Sequence, residues 1–245
     1  MPDPIFDDPR LAALYDPLDP DRSDLDAYVA MVDEFGARSV LDIGCGTGTL
    51  ACALAQRGID VVAADPAAAS LDVARTKSGA GNVRWVHGDA TTLPPLSVDL
   101  AVMTGNVAQV FLTDDDWTAT LRGVRDALRP GGRFVFEARD PRRRGWERWT
   151  REEQWSRDEV EGIGFVEHWV DLIDVHDGFV TFRWTFRFEA TGEVIVSDST
   201  LRFRERGEIE RSLRAEGLDL LDVRDAPDRP GLEWVFVTQR PASST

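Results

Sequence analysis

Apolar residues fall in short runs separated by amphipathic stretches, in a strand–helix rhythm from residue 39 to residue 138. Val40, Leu41 and Ile43 form a run closed by glycine, the pattern of a parallel strand buried on both faces. Leu50, Ala51, Ala53, Leu54 and Ala55 predict a helix that stops near Gly58. The rhythm continues with a strand over 59–64, a helix over 67–77, and strands over 83–87 and 98–103. Thr113 predicts the N-cap of a further helix, with Asp114, Asp115 and Asp116 in its first turn and Leu121, Val124 and Leu128 on its buried side. Leu128-Arg129-Pro130-Gly131-Gly132-Arg133 ends that helix and turns into a fifth strand over 134–138. Upstream, Ser23 predicts the N-cap of a helix running toward Gly36, and Leu11, Ala12, Leu14 and Tyr15 mark a short helix between flexible ends.

The pattern changes after residue 139. Residues 142–155 are rich in arginine and tryptophan, and three strand-like runs follow at 165–175, 179–189 and 194–203. Asp177-Gly178 and Thr191-Gly192 are hairpin signals between them. In the middle run Val180, Phe182, Trp184, Phe186 and Phe188 share one face, and Thr181, Arg183, Thr185 and Arg187 the other. A buried aromatic face and a polar, cationic face follow: either the arginines pair with Asp171, Asp174 or Asp198 in a sheet packed on the domain, or the run belongs to a cap over an anionic or aromatic small-molecule acceptor, or the aromatic face is a dimer interface. A helix over 205–217 and strands over 218–223 and 232–238 complete the chain, with a tail after Arg240 expected to fray.

Composition narrows the function classes. The 245 residues include 42% hydrophobic ones, enough for one large domain with an appended subdomain. The net charge of −16 repels phosphate backbones, so nucleic acid is not expected as a partner. Neither of the two cysteines, Cys45 and Cys52, is placed as a structural staple, and no cluster with metal-ligand spacing stands out. No run approaches a membrane span and the N-terminus lacks signal-peptide features, so a cytoplasmic protein, monomer or homodimer, is expected.

The chemistry concentrates after the first strand. Gly44, Gly46 and Gly48 turn the chain into a helix N-terminus, where free backbone N–H groups and the helix dipole face the crevice at the strand tips. A dinucleotide fingerprint needs glycine where Thr49 stands, which argues against a nicotinamide oxidoreductase. Asp42-Ile43-Gly44-Cys45-Gly46-Thr47-Gly48 instead resembles the first motif of class I S-adenosylmethionine-dependent methyltransferases. The order of glycine loop, Asp65, Asp89, fourth-strand loop and Pro-Gly-Gly turn extends that resemblance over residues 38 to 138.

The resemblance implies an α/β fold: a Rossmann-like, doubly wound seven-stranded sheet, its last strand antiparallel, with an inserted antiparallel β cap. It divides the chain into an N-terminal lid segment (1–22), a cofactor-binding core (23–139 and 204–240) and an inserted subdomain (140–203). It also implies S-adenosylmethionine as cofactor, S-adenosylhomocysteine as product, and a methyl acceptor that is a small molecule reacting through O or N. The glycine loop with Asp42, Gly44, Cys45 and Gly46 would hold the amino-acid end, the acid suiting the ammonium and the helix N-terminus the carboxylate. Asp65-Pro66 sits about 20 residues on, where an acid accepts ribose hydroxyls, with capping of the next helix as the alternative. Asp89-Ala90 matches the pair that meets the adenine amino group, with capping at Thr91 as the alternative.

Thr104, Gly105 and Asn106 follow the fourth strand and should face the transferred methyl, with backbone carbonyls near Thr104 toward the ammonium. Asn106 and Gln109 either contact ligands there or satisfy loop backbone. Tyr15 would lie over the cofactor or simply anchor the lid. The absence of Asn-Pro-Pro-Tyr in this loop argues against base-amine and glutamine-amide methylation. His87, His168, His176 and Glu137 are candidate bases, but none has a distinctive partner in sequence, so no catalytic residue is assigned. A noncatalytic domain that binds the cofactor or a protein remains the alternative.

Overall fold

A computed structural model describes residues 2–242. Met1 of the expected lid segment and residues 243–245 of the expected tail lie outside the described residues. The N-terminal segment forms two helices rather than one, α1 (Pro4–Asp7) and α2 (Pro9–Leu18), each opening on a proline whose missing N–H costs nothing in the first turn. Ser23 does not act as an N-cap. It starts a 3₁₀ turn over Ser23–Leu25, and α3 (Asp26–Glu34) follows without a side-chain cap.

The core then alternates as its periodicity requires: β1 (Ser39–Ile43), α4 (Thr49–Gln56), β2 (Asp60–Asp65), α5 (Ala68–Thr76), β3 (Val83–His87), β4 (Val98–Met103), α6 (Asp114–Ala127) and β5 (Leu128–Arg139). Thr113 caps α6, its hydroxyl accepting the Asp116 N–H. Leu128 does not end on the helix. It is already extended and pairs with Val98, and a register shift before Leu100 absorbs the Pro-Gly-Gly turn, so β5 begins earlier than expected.

The remaining elements are α7 (Arg151–Gln154), β6 (Ser156–Val160), β7 (Gly164–His176), β8 (Phe179–Phe188), β9 (Val194–Arg202), α8 (Arg206–Ala215), β10 (Asp219–Asp225) and β11 (Glu233–Gln239). Seven strands form one sheet in the order β3-β2-β1-β4-β5-β11-β10, parallel except that β11 runs against both β5 and β10. Successive side chains along each strand feed two cores. Leu41, Ile43, Ala101, Met103, Phe134, Phe136 and Phe236 pack under α6 and α8. Val40, Val61, Ala63, Leu100, Val102, Val135 and Val237 pack under α3 and α4.

The insertion is a separate four-stranded antiparallel sheet, β6-β7-β8-β9. Its edge strand β6 reads Ser-Arg-Asp-Glu-Val, too polar to announce itself, and is defined by pairing with β7. The arginine face of β8 is neutralised in register: Arg183 pairs with Asp198 on β9 and Arg187 with Glu167 on β7. The other expected acids are engaged elsewhere, Asp174 with His176 and Asp171 with the Trp169 indole N–H. Helix α2 lies between this sheet and the core, burying Leu11 and Leu14 against Val160, Val166, Phe186 and Phe188. No helix among the described residues is long and apolar enough to cross a membrane.

Candidate active site

The chain steps from β1 outward to β2 and β3, then returns to place β4 on the other side of β1. Loops leaving β1 and β4 therefore diverge, and the crevice between them is where ligands of doubly wound sheets lie. Here the crevice opens into a cavity of about 1490 Å³, roofed by α2 and the inserted sheet. A pocket for one drug-sized ligand occupies about 300–1,000 Å³, so there is room for two ligands side by side.

The glycine loop forms its floor. Gly44, Gly46 and Gly48 have φ of 68°, 52° and 75°, which L side chains rarely adopt. A Cβ at Gly44 would lie 2.6 Å from Val107 Cγ2, so the loop after β1 rests directly on the loop after β4. A Cβ at Gly46 would meet nothing, because that residue faces the cavity.

Two carboxylates flank the open position. Asp42 at the end of β1 is 1% exposed, and its Oδ1 has no hydrogen-bond partner. Burial, reinforced by the nearby Asp65 charge, pushes its pKa up to about 7. Such an atom is stabilised by a cation brought to it. Asp65 at the end of β2 accepts the Gly46 N–H on Oδ2 and the Ala67 N–H on Oδ1, both at 2.8 Å. The local role is present, one oxygen bracing the entry to α5, and the residue also lines the cavity. Burial raises its pKa, against the pull of those two N–H groups.

Cys45, Pro66, Asp89, Thr104, Gly105, Asn106 and Tyr15 also line the cavity. The Cys45 thiol is pushed well up by burial and stays protonated. Asp89 Oδ1 accepts both the Thr91 N–H and its hydroxyl, so the capping role is present alongside the wall position. Tyr15 packs its ring 6.1 Å from Phe6 while facing the cavity. Asn106, at φ 60°, donates from Nδ2 to Glu233 and from its backbone N–H to Glu137, leaving Oδ1 unpartnered and buried. Ala90 departs from expectation: its side chain packs in the core beneath α6, where Gly123 lies against its carbonyl, and it does not form the cavity wall. Gln109 also lies away from the wall, accepting from Arg139.

The candidate bases separate cleanly. His87 is exposed and sits against the Pro66 carbonyl, and His176 is exposed beside Asp174; neither lines the cavity. Glu137 is buried behind the wall, where it accepts the Tyr28 hydroxyl and the Asn106 N–H. Only His168 of the four faces the cavity.

Several site residues escaped the sequence reading. Glu233 on β11, 3% exposed on its side chain, gathers Arg229, Arg139 and Asn106 beside the β4 loop. These residues meet only through the antiparallel return of β11, so no spacing announces them. Asp16 also entered no motif, although Lys77, which binds it and Thr47 of the glycine loop, is the only lysine of the chain. No group of metal-ligating side chains occurs among the described residues.

The profile of the methyltransferase-domain family matches residues 40–132. The cypemycin N-terminal methyltransferase of a Streptomyces species is 35% identical over 116 residues, 47% of this chain and 47% of that protein. The chain spans about half the length of the curated relatives it matches. Among solved structures, an S-adenosylmethionine-dependent methyltransferase of Clostridium acetobutylicum superposes with a TM-score of 0.75, 18% identity, and 95% and 98% of the two chains covered. A sugar N-methyltransferase of Streptoalloteichus gives 0.72 at 20% identity, over 90% and 87%. Residues 40–132 thus match the methyltransferase-domain family, and the chain has the fold seen in S-adenosylmethionine-dependent methyltransferases.

Proposed function

We propose that this protein is an S-adenosylmethionine-dependent methyltransferase acting on a small molecule, with an amine nitrogen as the acceptor atom. Two carboxylates on either side of the open Gly46 position carry the assignment. Asp42 offers an unpartnered buried oxygen for the cofactor's ammonium, Asp65 offers lone pairs for its ribose hydroxyls, and the α4 N-terminus accommodates its carboxylate. Asp89 stands for the adenine amino group at the far end of the same wall. The bound sulfonium supplies an activated methyl group, so the protein's task is alignment and exclusion of water.

Alignment falls to the loop after β4 and to the inserted sheet. Phe182, Trp184, Phe186 and Trp149 give the cavity an aromatic wall, and Arg139, Arg229 and Glu233 a polar one. A ring-shaped acceptor carrying polar substituents suits both. Amine chemistry is favoured by the similar proteins, one named an N-terminal methyltransferase and one a sugar N-methyltransferase. The net charge of −16 and the arginine pairs on the cap disfavour nucleic acid, and a cytoplasmic enzyme fits the reading.

Calorimetric titration with S-adenosylmethionine and with NAD separates the methyltransferase from an oxidoreductase of the same architecture. Mass spectrometry of an amine, phenol and carboxylate panel then reads the gain of one methyl group. Cofactor binding without any methyl gain would favour a noncatalytic binding domain.

A further inference from the structure

We propose that His168, held in one tautomer by Asp158, is the proton acceptor for the methyl acceptor's nucleophilic atom. The assignment rests on the methyl-transfer reading above. His168 lies on β7, opposite Ser156 of β6 and Phe186 of β8. Its imidazole stacks on the Phe186 ring at 5.9 Å between centroids and lies 6.0 Å from Trp184, within the aromatic wall of the cavity. Its Nε2 is 2.9 Å from Asp158 Oδ2, and that oxygen also accepts the Ser156 hydroxyl at 2.6 Å.

These contacts fix the proton. The Ser156 hydroxyl, and after it His168, hold the Asp158 carboxyl below its usual range, so Asp158 is a carboxylate at neutral pH. A carboxylate only accepts, so the neutral imidazole carries its hydrogen on Nε2 and its lone pair on Nδ1. Nδ1 makes no hydrogen bond to any described residue. The aromatic wall on one side and the ion on the other leave the ring little freedom to turn.

Five other carboxylates at the cavity are engaged elsewhere, whereas Asp3 and Asp19 lie on the N-terminal segment, away from the aromatic wall. Asp42 and Asp65 belong to the glycine-loop end, Asp140 to Arg142, Glu233 to Arg229 and Asp198 to Arg183. Within the aromatic wall, His168 is the group that can take the proton. An acceptor entering as an ammonium gives one proton to Nδ1, and the resulting imidazolium is stabilised by Asp158. The freed nitrogen lone pair forms the N–C bond to the methyl carbon as the C–S bond breaks, and its electron pair returns to sulfur. The product leaves as a methylammonium, and the imidazolium releases its proton to water. A hydroxyl acceptor would follow the same route with the oxygen lone pair.

The test uses the full chain. Histidine labelled with ¹⁵N gives three ring systems, which H87Q and H176Q assign by difference. His168 is expected in the Nε2–H tautomer, and D158N should abolish that preference; an Nδ1–H tautomer in the unmodified protein overturns the proposal. Methyl transfer is measured with tyramine, D-glucosamine and 4-hydroxybenzoate as probes, using the best of the three for kinetics. H168Q should lower kcat by about 10²–10⁴ while S-adenosylmethionine affinity by calorimetry stays constant, and H176Q should match the unmodified protein. Imidazole in solution should restore turnover to H168G, a response that a purely structural role would not give. Turnover that survives H168Q overturns this proposal alone. Absence of turnover on all three probes by the unmodified, cofactor-loaded protein overturns the methyl-transfer reading and this proposal with it.

Discussion

The Asp16 carboxylate lies 2.7 Å from the Lys77 ammonium and ties helix α2 to the residue that ends α5. Between them sits the glycine-loop residue Thr47, donating its hydroxyl to Asp16 at 2.8 Å and accepting from Lys77 at 3.1 Å. Lys77 also donates to Thr49 at the start of α4. Three elements that border the cavity therefore share one polar knot. On the other side of α2, Leu11 and Leu14 are buried against the inserted sheet, and the Ile5 N–H reaches Ser197. The N-terminal segment is clamped from both sides.

Cutting the knot should loosen the segment more than it destabilises the fold. The pair is partly exposed, so D16A is expected to cost no more than about 1 kcal/mol in denaturant unfolding. The same variant should speed proteolytic cleavage within residues 2–18 and weaken S-adenosylmethionine binding about threefold to tenfold. Equal cleavage rates in D16A and the unmodified protein would show that the apolar contacts alone hold the segment.

Asp42 predicts a pH signature. Its folded pKa of about 7 lies well above that of an ordinary aspartate, so the unfolded chain ionises first as pH rises. Stability from this group is therefore full below about pH 4 and is lost as pH rises through 7, with a ceiling of about 4 kcal/mol. D42N should remove that part of the slope, visible as a smaller difference in Tm between pH 5 and pH 8. Binding of a cation beside Asp42 should expel its proton. Calorimetry at pH 6 in buffers of different ionisation enthalpy should then show proton release that is absent at pH 9 and absent in D42N.

Asp65 braces the loop and lines the cavity, and a bracing role and a proposed ligand-binding role can be told apart. D65N keeps an acceptor for one backbone N–H, whereas D65A strands the Gly46 and Ala67 donors together. Both should weaken S-adenosylmethionine binding by about tenfold to a hundredfold, since each good hydrogen bond to a charged group contributes about 1.5–3 kcal/mol. Only D65A should also lower Tm appreciably. An unchanged affinity in both variants would remove Asp65 from the binding site.

Gly44 and Gly46 separate packing from access. Both have positive φ, but only at Gly44 would a Cβ strike Val107. G44A should therefore cost about 1–3 kcal/mol, and V107A in the same chain should recover part of it. G46A carries the backbone strain alone, and its methyl group projects into the cavity. Its effect should fall mainly on S-adenosylmethionine affinity, measured by calorimetry beside the unfolding curve.

The amino-acid sequence determined the alternating core, the glycine turn and the acids at the tips of β1, β2 and β3. Each of these depends on residues close in the chain: an apolar run, a glycine forced into the left-handed region, a carboxylate at a strand end. Tertiary structure decided the rest. Ala90 turned inward because Gly123 leaves room for it under α6, a contact between residues far apart in sequence. The polar strand β6 exists because β7 offers it a hydrogen-bonding edge, and through that pairing Asp158 meets His168 across two strands. Glu233 joins Arg139 and Asn106 only because β11 runs back along β5. Local periodicity fixes which elements form, whereas the cavity wall made by the inserted sheet and β11 is assembled by strand register and chain reversal, which no single stretch of sequence contains.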